Sequence, residues 1–391
     1  ERMSDVGGRM LEKPRCLKPT SGIRHPTSAY STSPRPRPAV CLLAGGGLNL
    51  PLIRFVMAKK GKAQELLEYA ATRALLSGLG ALPRPLAVAA GRGVGRAVYA
   101  LARGLRRTGL RNLELAFPEI GEDERKRILR GTFASLGRQL GEVSQFPRAT
   151  PESLSLIAEY DGEDVKLLAV ARARGRGVIF LTSHLGAWEM LCFAHSAIYE
   201  PLSFLVRPID NPRIDALVTR LRTRFGNRPI DKKAAARTAL RLLKQGGTLG
   251  VLADLNTQER EGVFVPFFGH LACTTAGAAT LALRTDATVI PVCAPWDERR
   301  KKFVFRGGPV IELVRTGDDR ADIEINTANF TSAIERHVRM FPDQWLWIHK
   351  RWKTRPQGEP DLYARSTQLP QKNTGGTKIS TPPTTETISK A

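Results

Sequence analysis

Apolar residues along this chain change rhythm twice. Over 63–105 they fall at helical spacing, with Leu66, Leu67, Ala70, Ala71, Leu75, Leu76 and Leu79 before the break Leu82-Pro83-Arg84-Pro85. A second run then extends from Leu86 to Leu101. Arg73, Arg84, Arg92 and Arg96 interrupt every stretch long enough to span a bilayer. The pattern predicts a basic amphipathic helical segment over 57–105 that lies in a membrane interface; an ordinary helix pair packed on the core is the alternative. Residues 122–145 predict a second kind of helix, with Ile128, Leu129, Phe133, Leu136, Leu140 and Val143 on one face.

From about residue 160 short apolar runs alternate with helical periods. Gly177 to Thr182, Leu202 to Val206, Leu249 to Ala253 and Ala287 to Val292 predict buried strands. Between them Ile214 to Arg224, Asp231 to Lys244 and Ala276 to Arg284 predict helices, the second stopped by Gly246 and Gly247. Lys302 to Phe305 and Val310 to Val314 predict a hairpin, and Glu324 to Met340 a long helix. This alternation argues for an α/β sheet with helices on its faces, in which sites gather at the carboxyl ends of the strands.

The two ends read differently. Residues 1–38 are rich in Pro, Ser, Thr and Arg without apolar period, and 1–56 is expected to be a disordered or non-native extension. Ala39 to Ile53 has some character of a signal-peptide core, weakened by Gly45-Gly46-Gly47, Asn49 and Pro51, whereas Met57-Ala58-Lys59-Lys60 reads like a natural start. The Thr/Pro/Gln/Gly-rich residues 357–391 are expected to form a loose tail after a domain over 106–356.

Charge narrows the partners. Lys and Arg number 60 against 37 Asp and Glu, a net +23, which favours an anionic lipid, protein or nucleic acid. The arginines are spread over helices and tails, and no RNP-like strand or zinc finger accompanies them, so nucleic acid is not expected. The cysteines Cys16, Cys41, Cys192, Cys273 and Cys293 have no CxxC spacing and predict neither disulfides nor a metal site.

Candidate chemistry follows the first predicted strand. His184 stands at its end, with Glu189 five residues on in Ser183-His184-Leu185-Gly186-Ala187-Trp188-Glu189. A carboxylate holding one ring nitrogen leaves the other as a general base for a hydroxyl, so His184 and Glu189 are expected to pair. Asp254 and Arg207 follow the Leu249–Ala253 and Leu202–Val206 strands, and Arg222 lies in a basic helix. Cations beside a base suit a phosphorylated substrate or a developing oxyanion. A zinc site of His184, Glu189 and His195 has no recognised spacing.

Four blocks together are similar to the lysophospholipid acyltransferase superfamily and, within it, the late acyltransferases of lipid A biosynthesis. They are His184 to Glu189; Val206-Arg207-Pro208 with Asn211-Pro212 and Arg222; Asp254 through Gly262-Val263-Phe264-Val265-Pro266-Phe267-Phe268-Gly269 to Thr275; and Gln344-Trp345-Leu346-Trp347-Ile348-His349-Lys350-Arg351-Trp352-Lys353. Asn112 to Pro118 also matches, so the resemblance covers about 60–356.

The resemblance implies a glycerol-3-phosphate acyltransferase-like fold, a central mixed sheet flanked by helices. It implies His184 as catalytic base with Glu189, and Arg222, Asp254 and Arg207 as substrate-binding residues. The implied reaction moves an acyl chain, without cofactor or metal, from an acyl carrier protein or coenzyme A thioester to a hydroxyl of a lipid A precursor. Another membrane lipid, of the phosphatidylinositol mannoside or aminolipid type, is the alternative acceptor. The implied location is the cytoplasmic face of a bacterial inner membrane, on anionic lipid. Asp254-Leu255 departs from the Asp-Gln of many relatives, with Asn256 as the candidate substitute for the amide. Phe264, Phe267 and Phe268 are candidates for an acyl groove or for core, while Trp345, Trp347, His195, His270 and His349 are expected to be structural.

Overall fold

The computed structural model describes residues 61–162, 164–231 and 235–364. The expectations for 1–56 and for most of the 357–391 tail lie outside these residues.

Four helices lead the described chain: α1 (Lys62–Ala81), α2 (Arg84–Leu101), α3 (Arg103–Ala116) and α4 (Glu122–Gln145). The apolar spacing read over 122–145 is the face that α4 buries, with Leu129 and Phe133 in the core. Glu122, Asp123 and Glu124 in its first turn complement the positive end of the helix dipole. Short α5 (Pro151–Ser155) and strand β1 (Ala158–Tyr160) lead into α6 (Asp164–Ala173).

The predicted alternation then appears. In order come β2 (Val178–Thr182), α7 (Trp188–Ile198), β3 (Ser203–Val206), α8 (Pro212–Arg222), β4 (Arg228–Asp231), α9 (Ala235–Lys244) and β5 (Thr248–Leu252). A separate antiparallel hairpin, β6 (Gly262–Phe267) and β7 (His270–Thr275), precedes α10 (Gly277–Thr285) and β8 (Thr288–Cys293). The chain continues through β9 (Trp296–Asp297), β10 (Lys302–Gly307) and the long α11 (Asp319–Met340).

The main sheet runs β1-β10-β8-β2-β5-β3-β4, with β9 paired to β10. Strands β8, β2, β5, β3 and β4 are mutually parallel, and β10 is antiparallel to β8, so the sheet is mixed. Buried on both faces, β2 and β8 carry the continuous apolar runs expected of parallel strands. Ile179, Leu181, Leu249 and Val251 face one core, shared with Trp345, Trp347 and α11. Val178, Phe180 and Leu202 face the other, under α7.

One sequence expectation changes. The predicted hairpin partner Val310–Val314 forms no strand; Ile311 makes one bridge to Val289, and β10 pairs with β9 instead. Asp231 is the last residue of β4, and the start of the helix it was expected to cap lies outside the described residues. The 84–101 helix packs one face on the core, with Ala87, Val88, Gly91 and Gly95 of α2 buried. A methyl on Gly91 would collide with the Gly137 carbonyl oxygen, and one on Gly141 would sit 2.7 Å from the Ala87 carbonyl oxygen. Paired Gly-x3-Gly steps in α2 and α4 therefore bring the two backbones together. Arg84 adds a two-pronged ion pair to the buried Glu142 at 2.9 and 2.6 Å. The outer faces of α1 and α2 remain exposed, including Leu66, Leu67, Leu75, Leu86 and Leu101. Among the described residues no helix is long and apolar enough to cross a membrane.

Candidate active site

β2 delivers His184 two residues beyond its end, and the neighbouring parallel strand β5 delivers Asp254 in the same way. Both are buried, 2% and 1% exposed. His184 Nδ1 lies 2.8 Å from Asp254 Oδ1, and the backbone N–H of His184 donates to Asp254 Oδ2 at 2.8 Å. Trp345 Nε1 donates to the same Oδ2, also at 2.8 Å.

Burial alone would raise the Asp254 pKa, but His184, its backbone N–H and the Trp345 indole outweigh it and hold the carboxyl below its ordinary value. An ionised carboxylate only accepts hydrogen bonds, so His184 Nδ1 carries the proton and donates. Proton chemistry at the ring is thereby assigned to Nε2.

Asp254 thus replaces Glu189 as the residue hydrogen-bonded to the His184 ring, which corrects the expected His184–Glu189 pair. Both Glu189 oxygens are instead held by Arg222, Nε to Oε2 at 2.8 Å and Nη2 to Oε1 at 2.5 Å. The reason lies in the sheet. A loop and the first turn of α7 separate His184 from Glu189, whereas Asp254 leaves an adjacent parallel strand at the same level. Arg222, the last residue of α8, was expected to be a substrate ligand; its fork is committed to Glu189 along the edge of a cavity. Arg207 is not brought to this cluster. Its side chain is 58% exposed, and Asp210 is 3.7 Å away.

The His184 loop is clamped from three sides. Leu346 N donates to the His184 carbonyl at 3.1 Å, and Gly186 N donates to the Gln344 carbonyl at 3.0 Å. Gln139 of α4 donates to the Gly186 carbonyl at 3.1 Å. Gly186 has φ +63°, with the Ala294 backbone packed where a side chain would project, so the tight turn there requires glycine. The His184 and Trp188 rings meet edge to face, centroids 5.0 Å apart.

Below this constellation, between the sheet and α7–α8, lies a cavity of about 70 Å³. Glu189 and Arg222 are its charged lining; Phe180, Leu191, Leu202, Phe204 and Leu252 supply most of the rest. The Thr182 hydroxyl and Trp188 Nε1, both from lining residues, are buried without a hydrogen-bond partner. Buried polar groups of that kind call for an explanation, and a substrate oxygen is one. Cys192 also lines the cavity, and burial pushes its thiol up to about 12, so it stays protonated at neutral pH.

The phenylalanines proposed for a groove sit elsewhere. Phe267 and Phe268 are core residues packed against Trp345, Trp352, Phe117 and Trp347. Asn256 does not serve as an amide beside Asp254; its side chain ties Thr257 to Thr354. His349 accepts the Asn256 N–H at 3.1 Å, and burial drops its pKa to about 4. His195 is bonded to Tyr160 at 2.8 Å, and His270 contacts the Leu115 carbonyl at 3.2 Å, so neither joins His184. The residue that sequence reasoning missed is Trp345, expected only to fill the core. The single available signal was its type, since a buried indole seeks an acceptor.

Residues 57–354 match the family model described as bacterial lipid A biosynthesis acyltransferase. The chain is 31% identical over 287 residues to the lipid A biosynthesis lauroyltransferase of Escherichia coli (strain K12), covering 72% of this chain and 90% of that protein. It is 27% identical over 283 residues to the palmitoleoyltransferase of the same organism, with 72% and 90% covered. For the myristoyltransferase the identity is 25% over 279 residues, with 71% and 84% covered.

Proposed function

The chain belongs to the bacterial lipid A biosynthesis acyltransferase family and is an O-acyltransferase, and on that premise we propose that it moves a fatty acyl chain from an acyl thioester to a hydroxyl of a lipid A precursor, with His184 as base. The observation that carries the reading is the His184–Asp254 contact beside an apolar cavity edged by Glu189 and Arg222.

His184 Nε2 takes the acceptor hydroxyl proton as that oxygen attacks the thioester carbonyl. The tetrahedral intermediate collapses, the C–S bond breaks, and the leaving thiolate takes the proton from the imidazolium. The products are an ester and a free thiol, so atoms and protons balance. Asp254 stabilises the imidazolium and fixes its tautomer. The Arg222–Glu189 pair places a cation where negative charge develops, and the Trp188 N–H is a further donor beside it. The thioester is a carrier-protein or coenzyme A derivative, and its acyl chain enters the cavity. Direct transfer is supported by Cys192, whose buried thiol stays protonated.

The acceptor is a lipid, which agrees with the exposed leucines of α1 and α2. Arg73 of α1, Arg96 of α2, and Arg103 and Arg107 of α3 are exposed as well. That combination suits an anionic bilayer surface on the cytoplasmic side.

The test is mass spectrometry of lipid A from cells lacking the gene, complemented with wild type or with His184→Ala. Loss of one acyl chain, restored only by wild type, is expected. Restoration by His184→Ala would overturn the mechanism, and unchanged lipid A would move the acceptor to another membrane lipid.

A further inference from the structure

Gly250 stands in the middle of β5, flanked in register by Phe180 of β2 and Phe204 of β3. Partners in register on parallel strands present their side chains to the same face. The row Phe180–Gly250–Phe204 therefore has a gap at its centre, and all three residues line the cavity. The next row toward the catalytic end, Thr182 with Leu252, lines it too. The cavity follows the sheet face away from the His184 end, and Gly250 lies four residues, about 13 Å, down β5 from Asp254.

Nothing in the backbone demands glycine there. Gly250 is absent from the positive-φ glycines. The nearest atoms to a Cβ built on it are Leu202 Cδ1 at 3.5 Å, Phe204 Cβ at 3.7 Å and the Ser203 carbonyl oxygen at 3.8 Å, all ordinary van der Waals distances. Glycine inside a strand weakens it and often marks close approach of a ligand. A site that tolerates a side chain and yet has none keeps space open.

We propose that Gly250 sets the length of acyl chain this enzyme accepts, its missing side chain being the room into which the chain's terminal methylenes pass. This rests on the acyl-transfer reading. A side chain at 250 shortens the cavity, and its Cβ has Leu202, Phe204 and Ser203 as nearest neighbours, not His184, Asp254, Glu189 or Arg222. Each methylene that no longer fits costs on the order of tenfold in kcat/KM.

The full-length protein, as wild type, Gly250→Ala and Gly250→Leu, is assayed with a graded series of saturated acyl carrier protein thioesters and a lipid A precursor. In parallel, thermal stabilisation by free saturated fatty acids of the same lengths reads cavity occupancy without turnover. The preferred chain is expected to shorten progressively from Gly to Ala to Leu, and the most stabilising fatty acid to shorten with it. Folded variants with the wild-type length profile in both readouts would overturn the proposal. If Gly250→Leu does not fold, Gly250→Ala decides by the same criterion. A wild type that binds fatty acids of graded length but transfers none would overturn the acyl-transfer reading and leave the cavity assignment to the binding series.

Discussion

Asp254 and Trp345 share a single hydrogen bond that joins the catalytic end of the sheet to the carboxyl-terminal segment: the indole Nε1 lies 2.8 Å from the carboxylate Oδ2. The other oxygen is left to His184. One carboxylate is thus oriented by an indole and a backbone N–H, and it orients an imidazole in turn. Positioning of this kind distinguishes a base from a buried histidine.

Replacing Asp254 by Asn keeps the shape and removes the charge. We expect kcat to fall on the order of 10²–10⁴-fold, with far-ultraviolet circular dichroism unchanged. Wild-type turnover in Asp254→Asn would remove Asp254 from the mechanism.

The Arg222–Glu189 pair is largely buried, with side chains 13% and 8% exposed. Removing one partner strands a charge, so Arg222→Ala and Glu189→Ala should each destabilise by about 3–5 kcal/mol. The double variant should lose much less than their sum, as urea denaturation of all four proteins would show. Additive losses would mean that the pair is not energetically coupled.

Where α2 meets α4, the limiting atoms are backbone. Gly91→Val should overpack the crossing and cost about 1–3 kcal/mol or more, read as a lower denaturant midpoint. An unchanged midpoint would place α2 outside the folded core. For the same reason, deleting 62–101 should uncover the α4 glycine face and compromise folding, not merely detach the protein from lipid.

Acid should unfold this protein early. Burial lowers His195 and His337 from 6.5 to about 4, so between those values the unfolded chain binds protons that the native one does not. Their contribution is present above pH 6.5 and is lost as pH falls toward 4, about 1.4 kcal/mol per pH unit for each. His349, also near 4, acts in the same direction. Asp254, with its pKa depressed, adds a further loss below the ordinary carboxylate range. Urea midpoints measured from about pH 7.5 to about 5 should decline steadily; a flat profile would contradict the neutral burial of these imidazoles.

The strands were legible because burial on both sheet faces forces continuous apolar runs, as in Val178–Thr182 and Thr288–Cys293. Val310–Val314 has the same composition but follows Gly307-Gly308-Pro309, and it packs beside β8 through one bridge. Apolar composition records burial; ladder pairing depends on neighbours far along the chain. The site divides in the same way. His184, Glu189, Arg222 and Asp254 could all be named from the sequence. Who holds whom could not, because the His184–Asp254 contact spans 70 positions and exists only through the adjacency of β2 and β5. Spacing within one segment pointed to Glu189, and the sheet order gave the histidine to Asp254.

The clamp on the His184 loop also fixes when activity can begin during synthesis. Gln344, Trp345 and Leu346 hold Gly186, Asp254 and His184, yet they leave the ribosome after nearly every other part of the domain. A nascent chain can lay down α1 to α11 and still lack an oriented base. A domain generally folds as a unit, so until these last residues are made the chain lacks the contacts that clamp the His184 loop. Premature termination or clipping before residue 344 would yield a polypeptide with every charged residue of the site and no reactive geometry.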